Sequence, residues 1–433
     1  MDLAGALAYL DDHVNLETAT EAPAAARRLE SVRRLVEVMG DPQRTYPVLH
    51  LTGTNGKGST AAMLTSLLVA RGLSVGTYTS PHLERFNERI AWNGDPISND
   101  AFTEVIESVA LSEVLLDERP TVFDILTAGA FRWFADVAVD AAVVEVGLGG
   151  RWDATNVADG QVALVTNVSL DHAEVIGPTL ADIASEKAGI VKPGSTLVLG
   201  ETGDPLAPIF RDAGAAAVWE RGRDFDCDAN VMGVGGRVLE LRTPGAHYDD
   251  VFVPLHGAHQ GDNAALALAG AEAFFDAPLD RDVVTEAFAA VSSPGRMEVA
   301  GREPLRILDG AHNPAGAEAL ARSLAEEFGT DMGRVLVVGF LRGRDPVEML
   351  SALDASLARL VVACTPPSPR ALPAADVAGA ARSMGLDAFT AGSVAEGLAR
   401  ALDAVEPAEM MLVTGSLYVV GAARALLVPA RHR

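Results

Sequence analysis

Cysteine is nearly missing from this 433-residue chain: Cys227 and Cys364 stand far apart with no CxxC spacing. That excludes a disulfide framework, a zinc ribbon and paired-thiol chemistry. Aromatic residues make up only 5% of the chain, so Ala, Val and Leu must build the interior. Basic charge is also short. Lys and Arg number 34 against 59 Asp and Glu, a formal net charge of −25, which repels a phosphate backbone and argues against a nucleic-acid partner. No apolar run reaches about 18 residues, so no membrane span is expected. Met1 to Asp12 carry no Lys or Arg ahead of an apolar stretch already broken by Asp2 and Asp11. This is not a signal-peptide pattern, and a cytoplasmic protein is expected.

The length predicts two or three domains at roughly 150 residues each. Short β-branched runs alternate with Ala/Leu-rich stretches, which predicts a mostly parallel sheet covered by helices on both faces. Strands are expected at Val48 to Leu51, Val75 to Tyr78, Ala142 to Val146, Val162 to Thr166 and Thr196 to Leu199. Met63, Leu64, Leu67 and Leu68 recur at helical spacing, with Gly72 as the stop. Gly-punctuated alternation between Val231 and Pro254 predicts a small antiparallel β insertion. After Pro294 the βα alternation restarts at Leu305 to Leu308, Val335 to Val338, Leu360 to Ala363 and Met411 to Thr414. The expected organisation is α/β throughout: a P-loop-type domain over 1–294 and a Rossmann-like domain over 295–433.

Chemistry concentrates where a strand, a Gly-rich turn and a helix meet, at Gly53-Thr54-Asn55-Gly56-Lys57-Gly58-Ser59-Thr60. Backbone N–H groups of such a turn, backed by a helix N-terminus, cradle phosphates, and Lys57 can reach the outer phosphoryl oxygens. The spacing departs from the common P-loop, since Gly53 sits three residues before Gly56 where five is usual and Gly58 follows the lysine where Ser or Thr is expected. An ordinary Gly-rich turn with a solvated lysine is the bland alternative. A nucleotide triphosphate also needs a hard oxygen ligand for Mg²⁺ at a strand end. Glu145 closes an apolar strand just before Gly147-Leu148-Gly149-Gly150, and His172 follows another. A lone strand-end Glu is often a surface residue, but the apolar neighbours and the adjoining Gly loop tilt Glu145 towards function; His172 alone carries no hypothesis.

Together these segments resemble the folylpolyglutamate synthases and bifunctional dihydrofolate synthases, relatives of the Mur peptide ligases. The resemblance runs through GTNGKGS (53–59), TSPHLERFNERI (79–90), EVGLGGRWDATN (145–156), SLDH (169–172) and SEKAGIVKPG (185–194). It continues through HQGDNAA (259–265), SPGRMEV (293–299), LDGAHNP (308–314) and VTGSLY (413–418). It implies that Asn55, Gly56, Lys57, Gly58, Ser59 and Thr60 hold the ATP phosphates, with Asn263, Arg296 and Asp309 adding nucleotide contacts. Ser80, Glu145 and His172 match Mg²⁺ ligands, and a monovalent cation is an open addition. Trp152, Asp153 and Ala154, with Phe123 nearby, match the pterin side. Arg89, His312 and Ser416 match positions associated with the incoming glutamate, and Lys187 matches a lysine that is carbamylated in the family. From composition alone Lys187 reads as a solvated residue beside Glu186. Arg28 stands before Leu29 where the family often has Gly, in a segment that helps to hold dihydropteroate.

The implied reaction phosphorylates a folate carboxylate with ATP, and the amine of L-glutamate then displaces phosphate. His312 and Asp309 are expected to act on closure of the second domain, which keeps water from the acyl phosphate. The implied partners are a reduced folate or dihydropteroate, glutamate and ATP, with a monomer as the default. The nearest alternative is a Mur-type ligase acting on a UDP-linked cell-wall precursor, but such enzymes usually place a further domain ahead of a loop that here starts at Gly53. A nucleotide-gated switch would have no use for LDGAHNP. A dinucleotide-dependent dehydrogenase would need a ribose-binding acid where the sequence has Gly76 to Leu83.

Overall fold

The computed structural model describes residues 1–19, 29–201, 203 and 205–429. Arg28 lies outside them. Two compact units divide the chain: Met1–Val231, Val238–Pro254 and Gln260–Val291 form the first, and Met232–Arg237, Leu255–His259 and Ser292–Arg433 the second.

The first unit is built on a sheet of β1 (Val48–Thr52), β2 (Val75–Tyr78), β3 (Ile90–Trp92), β4 (Asp95–Pro96), β5 (Ala141–Glu145), β6 (Gly160–Asn167), β7 (Thr196–Glu201) and β8 (Ala217–Glu220). Their spatial order is β4-β3-β2-β5-β1-β6-β7-β8. Only the β2–β3 and β3–β4 pairs are antiparallel. Every residue of β1, β2 and β5 is buried, the signature of strands covered on both faces. One face packs Val32, Leu35, Phe102, Ile106, Phe131 and Phe134 against Tyr78 and Val144. On the other side of the unit, Ala184, Ile190 and Phe210 close on Val165, Leu197 and Leu199. Burial stabilises each large side chain of this kind by about 1.5–3 kcal/mol.

Helix Lys57–Ala70 buries Met63, Leu64, Leu67 and Leu68 and stops where the sequence predicts. Gly72, at φ 99°, donates to the Val69 carbonyl (2.8 Å), and Leu73 to that of Leu68 (3.1 Å). This paired closure satisfies carbonyls the helix cannot, and it needs a left-handed residue.

The predicted insertion is a three-stranded sheet of β9 (Asp226–Gly233), β10 (Gly236–Arg242) and β11 (His247–Val253), in the order β11-β10-β9. The connections are too short for parallel crossovers, so neighbours run antiparallel.

The second unit carries β12 (Glu298–Arg302), β13 (Leu305–Leu308), β14 (Arg334–Val338), β15 (Ala358–Cys364), β16 (Ala388–Ala391) and β17 (Met410–Thr414), ordered β12-β13-β17-β14-β15-β16. All but β12 are parallel to their neighbours. The two short excursions belong to this unit through Glu327: His256 Nδ1 lies 2.5 Å from Glu327 Oε2, and Arg237 pairs with Glu326 at 2.9 Å and Glu327 at 3.5 Å. No helix among the described residues is long and apolar enough to cross a membrane.

Candidate active site

β1 delivers the chain to Gly53, and Thr54, Asn55 and Gly56 make the bend into helix Lys57–Ala70. The bend takes its shape from the end of β6. The Thr54 N–H donates to the Asn167 carbonyl and the Asn55 N–H to Asn167 Oδ1, both at 3.0 Å. The Asn55 carbonyl accepts from Thr166 Oγ1 (2.7 Å) and Asn167 Nδ2 (2.9 Å). Two glycines are required by geometry: a Cβ at Gly53 would fall 1.7 Å from Thr166 Oγ1, and one at Gly56, at φ +85°, 2.4 Å from Asn263 Oδ1. Asn263, on helix His259–Phe275, is therefore brought onto the loop, with its Nδ2 donating to Gln260 Oε1 (3.0 Å).

The bend turns its own polar groups onto β6, and no side chain caps the N-terminus of the following helix. Thr60 Oγ1, in the first turn, is buried with no partner among the described residues. Lys57 Nζ folds back to donate to the carbonyls of Gly53 (3.2 Å) and Thr54 (3.3 Å). An uncapped helix N-terminus, a nearby cation and an orphaned hydroxyl are the features with which a phosphate chain could be held.

The sheet order sets the neighbours of this loop. Along the carboxyl edge, β2, β5, β1 and β6 present Ser80, Glu145, the Gly-rich bend and then His172. Glu145 pairs in register with Leu51. Its Oε2 accepts from the Ser80 N–H at 3.4 Å and sits 3.8 Å from where a Cβ on Gly58 would be. The carboxylate is buried and faces the start of helix Lys57–Ala70. His172 holds a left-handed backbone, φ 51°, and its Nε2 lies 3.8 Å from Asp171 Oδ1. Among the described residues no three His, Cys, Asp or Glu side chains group to hold a metal. One buried carboxylate beside Ser80 still suits Mg²⁺, which takes few protein oxygens and keeps water and phosphate for the rest.

Lys187 is not the solvated residue that composition suggests. Its side chain is buried, and Nζ donates to the Gly53 carbonyl at 2.7 Å, the same oxygen that Lys57 reaches. Burial, reinforced by the charge of Lys57, pushes its ammonium from the ordinary lysine range down to about 7.

Behind β5, Phe123 packs on the Gly loop, where a Cβ at Gly147 would meet its ring at 2.6 Å. Trp152 is exposed and its backbone N–H donates to Glu186 Oε1 (3.0 Å), whereas Ala154 is buried. Asp153 accepts from the N–H groups of Leu148 (2.9 Å) and Thr155 (3.0 Å), and burial lifts its carboxyl to about 6. It organises the loop. Arg89 is 2% exposed and fully engaged: Nη1 and Nη2 fork onto Glu17 (2.8 and 2.5 Å) and Nε donates to His82 Nδ1 (2.9 Å).

In the second unit, β13 and β17 are parallel neighbours, which brings their following loops together. Asp309, after β13, accepts from the N–H groups of Met297 (2.9 Å) and Ala311 (2.8 Å); burial raises its carboxyl, and the Arg296 charge opposes that. His312 Nδ1 lies 2.9 Å from the Gly310 carbonyl. Ser416, after β17, is the N-cap of helix Leu417–Leu427.

Sequence reasoning missed Thr166 and Asn167, which shape the phosphate loop, and Glu17, which holds Arg89. The signal for Asn167 was present: a polar amide closing the apolar strand of residues 162–166 just where α/β sites form. Glu17 carried none, because its partner is 72 residues away.

The model of the Mur ligase middle domain matches residues 51–271, and that of the Mur ligase, glutamate ligase domain matches residues 295–417. The dihydrofolate synthase/folylpolyglutamate synthase of Mycobacterium tuberculosis is 38% identical, covering 92% of this chain and 89% of that protein. The folylpolyglutamate synthase of Lacticaseibacillus casei is 34% identical over 91% of this chain and 93% of its own length. The crystal structure of Mycobacterium tuberculosis folylpolyglutamate synthase complexed with ADP and AMPPCP superposes with a TM-score of 0.91 at 37% identity, covering 98% of each chain. With its phosphate loop, buried strand-end carboxylate and two α/β units thus matched over nearly the whole length, the chain belongs to the folylpolyglutamate synthase/dihydrofolate synthase family of Mur ligases.

Proposed function

We propose that the protein joins the amino group of L-glutamate to a folate carboxylate, consuming ATP and releasing ADP and phosphate, with tetrahydrofolate, dihydropteroate or both as acceptor. The observation that carries this reading is Lys57, set between two glycines at an open helix N-terminus and beside the buried Glu145 carboxylate.

A carboxylate resists an amine because it has no adequate leaving group. Transfer of the terminal phosphoryl of ATP to its oxygen supplies one; the amine attacks the carbonyl carbon, the C–O bond to phosphate breaks, and the amine proton leaves. Positioning and electrostatics dominate such catalysis. Lys57 would exchange the carbonyls of Gly53 and Thr54 for oxygens of the transferring group, while Asn55 to Thr60 and Asn263 hold the phosphates. Ser80, Glu145 and His172 would hold Mg²⁺, which when bound screens the phosphate charge; the nitrogen of His172 is the poorest fit of the three. An amine that is neutral near pH 7 can add to CO₂ and lose a proton. For Lys187 the resulting carbamate would replace a cation crowding Lys57 with an anion that offsets it. Trp152, Phe123, Asp153 and Ala154 are assigned to the pterin side, where the exposed Trp152 ring offers the stacking surface. Arg89, His312 and Ser416 are assigned to the glutamate, with Arg89 releasing Glu17 to do so. Arg296 and Asp309 complete the nucleotide contacts.

Product mass decides the class. ATP, Mg²⁺ and glutamate supplied with dihydropteroate in one tube and tetrahydrofolate in another should add one glutamyl unit to at least one acceptor. Phosphate release with a UDP-muramoyl substrate alone would reverse the reading. Lys57→Ala should lower kcat by about 10²–10³-fold with the circular dichroism spectrum unchanged.

A further inference from the structure

At the amino ends of β1, β6 and β7, on the edge of the first sheet opposite to the phosphate loop, lies a cavity of about 490 Å³. That volume suits a small metabolite. Four segments meet there: helix Glu30–Val38, the turn Pro42–Arg44 ahead of β1, Asn156 and Val157 ahead of β6, and Lys192 ahead of β7.

In a chain of net charge −25, the rim of this cavity carries Arg33 and Arg44, both exposed. No hydrogen bond or ion pair joins the side chain of either to another described residue. Three carboxylates share the lining: Glu37 accepts from Arg34 at 2.6 Å, Asp41 from Gln43 Nε2 at 3.1 Å, and Asp159 acts on Lys192. Deeper in, the Lys192 ammonium donates to the Asn156 carbonyl at 3.2 Å. Burial holds that ammonium below the ordinary lysine range, with Asp159 opposing and the like charge of Arg33 adding to the effect.

The buried lining poses the complementary demand. Gln43 and Asn156 are 3% and 7% exposed. Their amide orientations are set by their nitrogens: Gln43 Nε2 donates to Asp41, and Asn156 Nδ2 to the carbonyls of Arg151 (3.0 Å) and Gly189 (3.1 Å). The oxygens Gln43 Oε1 and Asn156 Oδ1 are thereby left buried without a partner among the described residues. Buried acceptors of this kind call for donors. Among the described residues no aromatic ring lines the cavity and its apolar side chains are Val36 and Val157, so a nucleobase or pterin finds no ring to stack on there.

We propose that this cavity is a second ligand site, which takes a small aliphatic acid carrying N–H donors, an amino acid or a short γ-glutamyl peptide. Carboxylates of the ligand pair with Arg33, Arg44 and Lys192, and its N–H groups donate to Gln43 Oε1 and Asn156 Oδ1. Only the γ-glutamyl member of that class rests on the proposed ligase activity; the site itself does not.

The test is calorimetric titration of the full chain, at fixed ionic strength, with γ-glutamylglutamate, L-glutamate, acetate and ADP. The Arg33→Ala/Arg44→Ala double variant and the single charge reversal Arg44→Glu are titrated alongside. Both positions are exposed, so both variants should fold as the parent does. In the double variant the affinity for γ-glutamylglutamate or L-glutamate should fall by about tenfold or more, while ADP binding and the KM for glutamate in ligation stay as in the parent. Which of the two ligands loses affinity tells peptide from amino acid. Arginine-dependent binding of L-glutamate by a chain that ligates nothing would uphold this site and sink the proposed function alone. Equal affinities in parent and variants would overturn the site, and acetate binding as tightly as the peptide would overturn the donor half of the assignment.

Discussion

Lys187 shows how far a single residue can depart from what its neighbours in the chain suggest. Beside Glu186 on an amphipathic helix it reads as solvated, yet its ammonium is buried against the Gly53 carbonyl and titrates near 7. The unfolded chain holds that proton up to about 10.4. Between about 7 and 10 the unfolded state therefore binds more protons than the folded one, and stability from this group rises with pH across that window. Below it both states are charged and the burial cost is paid in full. Comparing urea unfolding of the parent and Lys187→Met from pH 6 to pH 10 should show the parent gaining on the variant above pH 7. A pH-independent difference would mean that the amine is not desolvated.

At the scale of the element, the phosphate loop is a compromise between strand and helix that glycine makes possible. Gly56→Ala would force a left-handed alanine, which costs about 1–2 kcal/mol, and would press its Cβ into the Asn263 amide. A loss of about 1–3 kcal/mol in urea unfolding is expected, together with weaker ATP binding. Adding Asn263→Ala to Gly56→Ala should recover the steric part, which a double-mutant cycle reads directly. The loop and the strand carrying it were legible in the sequence because Gly, Lys and an apolar run are local signals. The frame that shapes it was not, since Thr166 and Asn167 reach Asn55 from over a hundred residues away. The carboxylate of Glu145 was legible as a strand end. Its approach to Gly58 follows only from β5 lying beside β1, a pairing that sequence order does not reveal.

Over the whole molecule two physical quantities govern behaviour: net charge and nucleotide linkage. A charge of −25 repels itself, so raising ionic strength from about 10 to about 150 mM, which shortens the screening length from roughly 30 to 8 Å, should raise the melting temperature. A nucleotide that binds only the folded loop stabilises it by about 2.7 kcal/mol at a hundred times its Kd. For a unit of this size that is roughly 5–10 °C, and Lys57→Ala should abolish most of the shift in a thermal scan. The amino-acid sequence by itself determined the class of fold, the phosphate loop and the family resemblance, because hydrophobic period, turn chemistry and contiguous motifs are written in neighbouring residues. Tertiary structure alone decided that Lys187 is buried, that Glu17 holds Arg89, and that Gln43 and Asn156 keep unpartnered oxygens beside three cations. Burial and pairing between distant segments follow from which strands lie side by side, and no local pattern encodes that.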